Sequence, residues 1–182
     1  MSSCKKLFTI LIAGGLLTCA GCGDNLLPSR EDRRPAVQAG SSGDAVSQKA
    51  PDFSVPDTNG ADVTLASSLA GSKGAVFYFT MWCPICDSHM SNMRSTITPS
   101  FPDVKFYLVD YVSGSVSGAA GAASANGYAG GVFTTLADMN NTLENNFKGT
   151  MGTTVVIDST GTVLMNEEYK ETRLQSILAA LP

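Results

Sequence analysis

Two cysteines, Cys83 and Cys86, are the residues of this sequence whose spacing most directly suggests chemistry. They lie between an apolar run at residues 74–81 and a stretch with helical periodicity. A helix N-terminus favours a thiolate, because its unpaired backbone N–H groups and the macrodipole stabilise negative charge. Pro84 suits the first helical position, where an N–H would have no partner. The spacing therefore predicts a redox pair: Cys83, with a lowered pKa, attacks a disulfide, and Cys86 resolves the mixed intermediate.

The chain begins with a segment that has the composition of an export signal. Lys5 and Lys6 form a basic start, and residues 7–18 form an uncharged, largely apolar stretch that is too short to span a bilayer. We therefore predict a lipoprotein-type signal peptide over residues 1–21. An ordinary secretory signal is the alternative.

The remaining cysteines fall in or next to this segment. Ala20 and Gly21 precede Cys22, and this order resembles a bacterial lipoprotein cleavage box, so Cys22 is the predicted lipidation site. Cys19, which follows a threonine, is the alternative. Only Cys83 and Cys86 then remain in the folded part. A disulfide between them would close a very short loop and add little stability, but this spacing is common in redox pairs.

The rest of the chain divides into a tether and one domain. Residues 22–49 are polar and rich in Ser, Gly, Asp and Arg, which predicts a flexible tether. Residues 50–182 carry the periodic segments of a folded domain. The formal charge is −4. Without residues 1–21, ten basic and sixteen acidic residues remain, which leaves −6 and no basic stripe for nucleic acid.

Apolar patterning predicts an α/β domain. The continuous apolar runs at residues 74–81 and 104–112 are typical of strands covered on both faces. Asn59-Gly60 predicts a tight hairpin. Strands are predicted at 51–57, 61–65, 74–81, 104–112, 132–136, 153–158 and 162–166, and helices at 83–98, 116–125, 142–147 and 171–181. This order favours helices on both faces of a central mixed sheet, an α/β/α sandwich.

Three segments resemble the thioredoxin superfamily, in particular its exported, membrane-tethered redoxin branch, which overlaps the alkyl-hydroperoxide-reductase/thiol-specific-antioxidant family. They are Ala50-Pro-Asp-Phe53, Phe79-Thr-Met-Trp-Cys-Pro-Ile-Cys86 and Gly152-Thr-Thr-Val-Val-Ile-Asp158. The resemblance covers residues 50–181. It implies a thioredoxin-like fold, a thiol–disulfide oxidoreductase without a cofactor, protein dithiol or disulfide substrates, and a membrane or periplasmic thiol electron-transfer partner.

Two departures from the family concern the surroundings of the cysteines. Where the family has a cis-proline facing them, this chain has Gly152, preceded by Met151. A cis bond before a non-proline residue costs about 3 kcal/mol, so we expect a trans bond and a differently shaped loop. With Trp82 and Pro84, these two residues are the expected substrate-facing set. Thioredoxin also has a buried acid six residues before its first cysteine, and here Phe77 stands there.

The third departure is His89, the only histidine of the chain, which stands where many tethered relatives have a glutamate. Cys86 and His89 are neighbours on a helix, so the imidazole could shuttle the proton of the resolving thiol. The alternative is a half-exposed helix histidine without a role. The aromatic residues of the adjoining strand, Tyr78 among them, are expected to pack.

Two other functions match parts of the pattern. A peroxiredoxin-like peroxidase needs a Pro-x-x-x-Thr-x-x-Cys motif; Thr80 fits it, but Val76 replaces the proline and no catalytic arginine can be assigned. Copper-delivering relatives use Cys-x-x-x-Cys with a distant histidine, a pattern this chain lacks, and we predict no metal. The uncharged Pro84 and Ile85 favour a reductase. We thus predict a lipoprotein of the bacterial cell envelope, with its domain in the periplasm or on the outer face.

Overall fold

The structure is a computed structural model that describes residues 36–182. The predicted signal peptide, its lipidation site at Cys22 (with Cys19 as the alternative) and the first part of the tether lie outside the described residues. Within residues 36–182, no helix is both long enough and apolar enough to cross a membrane.

The described part is built around a five-stranded mixed sheet. Its elements in chain order are β1 (Ser54–Pro56), β2 (Asp62–Thr64), α1 (Leu65–Leu69), β3 (Gly74–Thr80), α2 (Pro84–Asn92), β4 (Val104–Asp110), α3 (Val116–Ala125), β5 (Phe133–Ala137), α4 (Thr142–Phe147), β6 (Thr153–Asp158), β7 (Val163–Glu168) and α5 (Glu171–Ala179). The strand order is β5-β4-β3-β6-β7. Strands β3, β4 and β5 run parallel, whereas β6 is antiparallel to both β3 and β7. The thioredoxin-like α/β architecture with a central mixed sheet is confirmed.

The helix that follows the cysteines changes its winding along its length. Helix α2 ends at Asn92, and the chain continues through a π-helical turn, Met93–Ile97, and a 3₁₀ turn, Thr98–Ser100. One helix was predicted over residues 83–98. Met90, Met93 and Ile97 are all buried, so the apolar spacing that led to this prediction reflects a real core-facing side.

Adjacent residues of β3 face opposite sides of the sheet, as the pleat requires. Val76 and Tyr78 lie in one buried cluster together with Cys86 and residues of α5, and we call this side the site face. Phe77 and Phe79 lie in the other cluster, with residues of β1, α1 and α4, and we call this side the packing face. The central strand thus contributes to both cores, which explains its continuous apolar sequence.

Strands β3 and β6 approach each other closely at one end. Gly74 pairs with Asp158 across the antiparallel ladder. A Cβ atom at position 74 would lie 2.6 Å from the Ile157 carbonyl oxygen, which is too close for any side chain. Glycine is therefore required at this position by the packing of the two backbones.

The end of the predicted tether belongs to the domain. Ser47 N–H donates to the Val163 carbonyl at 2.9 Å, and Val163 N–H donates to the Gln48 carbonyl at 2.8 Å. Lys49 Nζ donates to the Thr160 carbonyl at 2.8 Å. The prediction of a flexible segment up to residue 49 is therefore wrong for residues 40–49. Their bonding partners are distant in the sequence, so composition alone does not reveal this order.

Candidate active site

The cysteine pair lies at the junction of β3 and α2. Cys83 is the N-cap of α2, and its Sγ accepts a hydrogen bond from Cys86 N–H at 3.2 Å. Pro84 occupies the first helical turn as predicted. Both cysteines are free thiols, with their sulfur atoms 2.7 Å apart. Cys83 is partly exposed and Cys86 is fully buried, so a disulfide substrate can reach only the first sulfur.

Hydrogen bonds favour a thiolate at this pair. Burial by itself raises the pKa of Cys86, but hydrogen bonds from the Cys83 side chain, from the Met81 and Cys83 backbone and from the Thr80 hydroxyl outweigh it and lower the pKa below its ordinary value. The two sulfurs are close enough to share one proton, so the first ionisation belongs to the pair rather than to one residue.

Trp82 is held in an unusual backbone conformation directly before the cysteines. Its φ is +58°, in the left-handed region that non-glycine residues rarely occupy. Its N–H donates to Thr80 Oγ1 at 3.0 Å, and its indole Nε1–H donates to Asp110 Oδ2 at 2.7 Å. Asp110 is buried and also accepts bonds from Val112 N–H and from the Ser113 backbone and hydroxyl. No sequence pattern distinguishes Asp110, although it ends the strand beside β3.

The loop before β6 approaches the exposed sulfur. Met151 Sδ lies 3.3 Å from Cys83 Sγ. The peptide bond before Gly152 is trans, as expected, and Gly152 adopts a φ of +84°. Its N–H donates to the Phe79 carbonyl at 3.0 Å, and its carbonyl accepts from Tyr169 N–H at 2.9 Å. The backbone of Gly152 is thus engaged within the domain.

His89 faces a tyrosine of the central strand. Its Nδ1 lies 3.0 Å from the Tyr78 hydroxyl, and its ring stacks on Tyr169 with a centroid distance of 4.6 Å. Burial lowers the pKa of His89 below its ordinary value of 6.5. Tyr78 packs in the core as expected, and its hydroxyl in addition contacts His89. On a buried strand covered on both faces, no sequence pattern distinguishes a packing tyrosine from one that faces a histidine.

A shallow pocket of about 270 Å³ opens beside the pair. Its lining residues are Ile85, His89, Met151, Gly152, Glu168 and Tyr169. Around the cysteines, Met81, Ile85 and Met151 expose 44%, 54% and 41% of their surface. Such a cluster of exposed apolar residues at a reactive thiol suits contact with an apolar stretch of a protein.

The chemistry available here is that of a dithiol. In the part of the chain covered by the structure, no group of three or more His, Cys, Asp or Glu side chains is placed to hold a metal ion. An exposed sulfur at a helix N-terminus, with a second sulfur one turn behind it, can exchange two electrons with a disulfide.

Comparisons with known proteins agree with this geometry. DsbF of Mycobacterium tuberculosis, whose structure was solved in mixed oxidised and reduced forms, is 27% identical, with a TM-score of 0.55, and the match covers 71% of this chain and 95% of that one. The thiol:disulfide interchange protein DsbE of Chlorobium tepidum is 26% identical, with a TM-score of 0.55 and coverages of 74% and 96%. Peroxidoxin BcpB of Mycobacterium tuberculosis shares the fold at 20% identity, with a TM-score of 0.60 and coverages of 74% and 96%.

A search of curated proteins finds no match. Residues 46–165 match the AhpC/TSA family over most of the domain. This family match, the solved structures and the paired thiols at the start of α2 lead to the same conclusion. The chain belongs to the AhpC/TSA family and is a thioredoxin-like thiol–disulfide oxidoreductase.

Proposed function

We propose that this protein is an exported, lipid-anchored thiol–disulfide oxidoreductase that acts as a reductase in the bacterial cell envelope. The observation that carries the catalytic part is the placement of the two sulfurs, with Cys83 partly exposed at the N-cap of α2 and Cys86 buried 2.7 Å away. Export rests on the sequence of residues 1–21, and anchoring rests on Cys22.

The exchange runs in two steps. The Cys83 thiolate attacks one sulfur of a substrate disulfide, which forms a mixed disulfide and releases the other sulfur as a thiolate. The Cys86 thiolate then attacks Cys83 Sγ, which forms the Cys83–Cys86 disulfide and releases the second substrate thiolate. Two electrons pass from the pair to the substrate, and a membrane or periplasmic thiol partner reduces the pair again.

The surroundings of Cys83 support protein substrates. Met81, Ile85 and Met151 form an exposed apolar rim that an unfolded or misbridged protein could contact. The uncharged Pro84 and Ile85 between the cysteines support the reducing direction. We assign Trp82, Pro84, Met151 and Gly152 to substrate contact.

The two alternative functions have weaker support in the geometry. The arginines of the described chain are engaged away from the cysteines, because Arg94 bonds to Gly127 and lies over Tyr128, while Arg173 bonds to Glu167. A peroxidase would need such a side chain near its thiolate. For copper, the third ligand would be His89, whose Nδ1 contacts Tyr78.

Parallel assays of disulfide and peroxide reduction test the proposal. We expect the wild-type protein to reduce insulin disulfides, Cys83→Ser to be inactive, and Cys86→Ser to accumulate a mixed disulfide through Cys83. The reduction potential of the pair gives the direction. Consumption of peroxide without disulfide exchange would contradict the proposal, and so would stoichiometric copper binding without exchange. Membrane fractionation of Cys22→Ala tests the anchor, with Cys19→Ala as the matched control.

A further inference from the structure

The buried resolving thiol needs a route for its proton. Cys86 has no exposed surface, yet its thiol must lose a proton before the thiolate can attack the mixed disulfide. In the free dithiol, Cys83 can accept this proton, because the two sulfur atoms are 2.7 Å apart. In the mixed disulfide, Cys83 is bonded to the substrate and no longer holds a thiolate that could accept the proton.

Two buried side chains with hydroxyl groups, Thr80 and Tyr78, act on the charge of Cys86, and only Tyr78 leads further. Tyr78 lies in the same buried cluster as Cys86. Thr80 helps to lower the pKa of Cys86, but its hydroxyl oxygen accepts the Trp82 N–H, and that N–H cannot take up a proton. Tyr78 is the other neighbour. Burial and the neighbouring Cys86 raise the pKa of Tyr78 and keep the proton on its oxygen, and its hydroxyl lies 3.0 Å from His89 Nδ1.

The surroundings of His89 orient it for this contact. Its ring lies edge-on to Tyr78, with an interplanar angle of 86°, and is stacked on Tyr169 at 30°. The Tyr169 hydroxyl bonds to Asn92 Oδ1, and Asn92 Nδ2 bonds to Glu171, so the stacking partner is itself fixed. His89 also lines the open pocket, where solvent can exchange protons.

We propose that Tyr78 relays the proton of Cys86 to His89 during resolution of the mixed disulfide. The phenol has one proton and two neighbours that can exchange it. When Cys86 is a thiol, its proton passes to the Tyr78 oxygen as the Tyr78 proton passes to His89 Nδ1. The products are the Cys86 thiolate, an unchanged neutral tyrosine and an imidazolium, which loses its Nε2 proton to water in the pocket.

The acid–base properties of the three groups agree with this order. Burial and the neighbouring Cys86 raise the pKa of Tyr78, so the phenol stays neutral and can pass protons only by exchange. Burial lowers the pKa of His89, so above pH 6.5 the imidazole is neutral and able to accept a proton. The other titratable groups facing His89 are Tyr169 and Glu168 at the pocket, with Glu171 behind Asn92.

Tyr78→Phe tests the relay, which rests on the proposed function. Mixing the reduced protein with dithiobis-nitrobenzoate releases one coloured thiolate when Cys83 attacks and a second when Cys86 resolves. In Tyr78→Phe we expect the first phase unchanged and the second slowed about 100-fold, the lower end of what positioned proton transfer contributes. Tyr107→Phe, which removes the hydroxyl of a tyrosine in the packing-face cluster, is the matched control and should leave both phases unchanged.

Two further measurements distinguish a relay from a structural role. In the wild-type protein the second phase should slow in heavy water. It should also slow more than the first phase as the pH falls through the lowered pKa of His89, because the imidazole is then protonated. A second phase at the wild-type rate in Tyr78→Phe would overturn the relay. If that variant does not fold, the absence of a heavy-water effect on the wild-type second phase would overturn it. A wild-type protein with no second phase would instead overturn the proposed function.

Discussion

Phe77 and Tyr78 are neighbours on β3, and they contribute to opposite faces of the sheet in different ways. Phe77 stacks on Tyr107 at a centroid distance of 5.0 Å and meets Phe53 edge-on at 5.6 Å, so its surroundings are purely apolar. Tyr78 is equally buried, but its hydroxyl contacts His89 and its ring lies in the cluster that contains Cys86. One face of the strand supplies packing, and the other supplies the polar contacts behind the cysteines.

This difference bears on the missing acid of the thioredoxin pattern. The position six residues before Cys83 is Phe77, which lies in the packing-face cluster with no polar partner for a charge. A carboxylate there would be buried without compensation, at a cost of several kcal/mol. In the proposed relay, the residue that exchanges protons with Cys86 is Tyr78, one position after the site of the thioredoxin acid. It therefore lies on the other face of the sheet.

The largest expected effect on stability is that of Phe77→Ala. Removing this buried ring should lower the free energy of unfolding by about 3–5 kcal/mol, because the cavity it leaves on the packing face cannot refill completely. Denaturant unfolding measures the loss. The second phase of disulfide exchange, normalised to folded protein, should stay at the wild-type rate. A slowed second phase would mean that the two faces are not separable as described.

Asp110→Asn should cost about 1–3 kcal/mol, because the amide group can accept fewer of the bonds made by the Trp82 indole and the Ser113 hydroxyl. We also expect a changed reduction potential, since Trp82 directly precedes Cys83. Asp138→Asn is the matched control. Asp138 is a buried aspartate whose carboxylate accepts the N–H groups of Leu143 and Glu144 rather than the Trp82 indole.

For Asp138→Asn we expect a similar loss of stability and an unchanged reduction potential of the cysteine pair. Equal shifts of potential in the two variants would show that the effect follows general destabilisation rather than the position of Trp82. Both quantities can be measured on the same samples, by chemical unfolding and by equilibration with a thiol redox buffer.

Gly152→Ala should have the smallest effect on stability. No atom lies within 4 Å of the added Cβ, so the cost is the strain of φ +84°, about 1–2 kcal/mol. Because Gly152 lines the pocket, KM for a protein disulfide should also rise. Gly60→Ala, at φ +83° in the β1–β2 hairpin, has matching strain and should leave KM unchanged. Equal KM values in the two variants would contradict a docking role for the loop.

Much of the fold could be predicted because local patterns and tertiary structure agree. The Asn59-Gly60 turn, the apolar strands and the amphipathic last helix each appear within about two residues of the expected bounds. The Cys83–Cys86 pair was equally predictable, since its chemistry depends on a strand-to-helix junction that the sequence marks with Pro84.

The missed features depend on contacts that a linear pattern does not contain. The apolar run of β3 shows no alternation, so the face on which Tyr78 lies could not be predicted. Asp110 bonds to Trp82 across neighbouring parallel strands, and residues 40–49 bond to β7 and the turn before it. The partners in these contacts are far apart in the chain, and they become visible only once the sheet is assembled.

The close approach at Gly74 has a consequence for folding accuracy. A slip of one residue in the pairing of β3 would turn each of its side chains to the other face. Tyr78 would then enter the apolar layer and a phenylalanine would stand behind Cys86, so a molecule could be well packed and yet unable to resolve its intermediate. A slipped strand would also place a side chain against the Ile157 carbonyl, where only glycine fits. The close contact at position 74 thus disfavours a slipped register of β3. By keeping the native register, it also keeps Tyr78 on the same face as Cys86, at the opposite end of the strand.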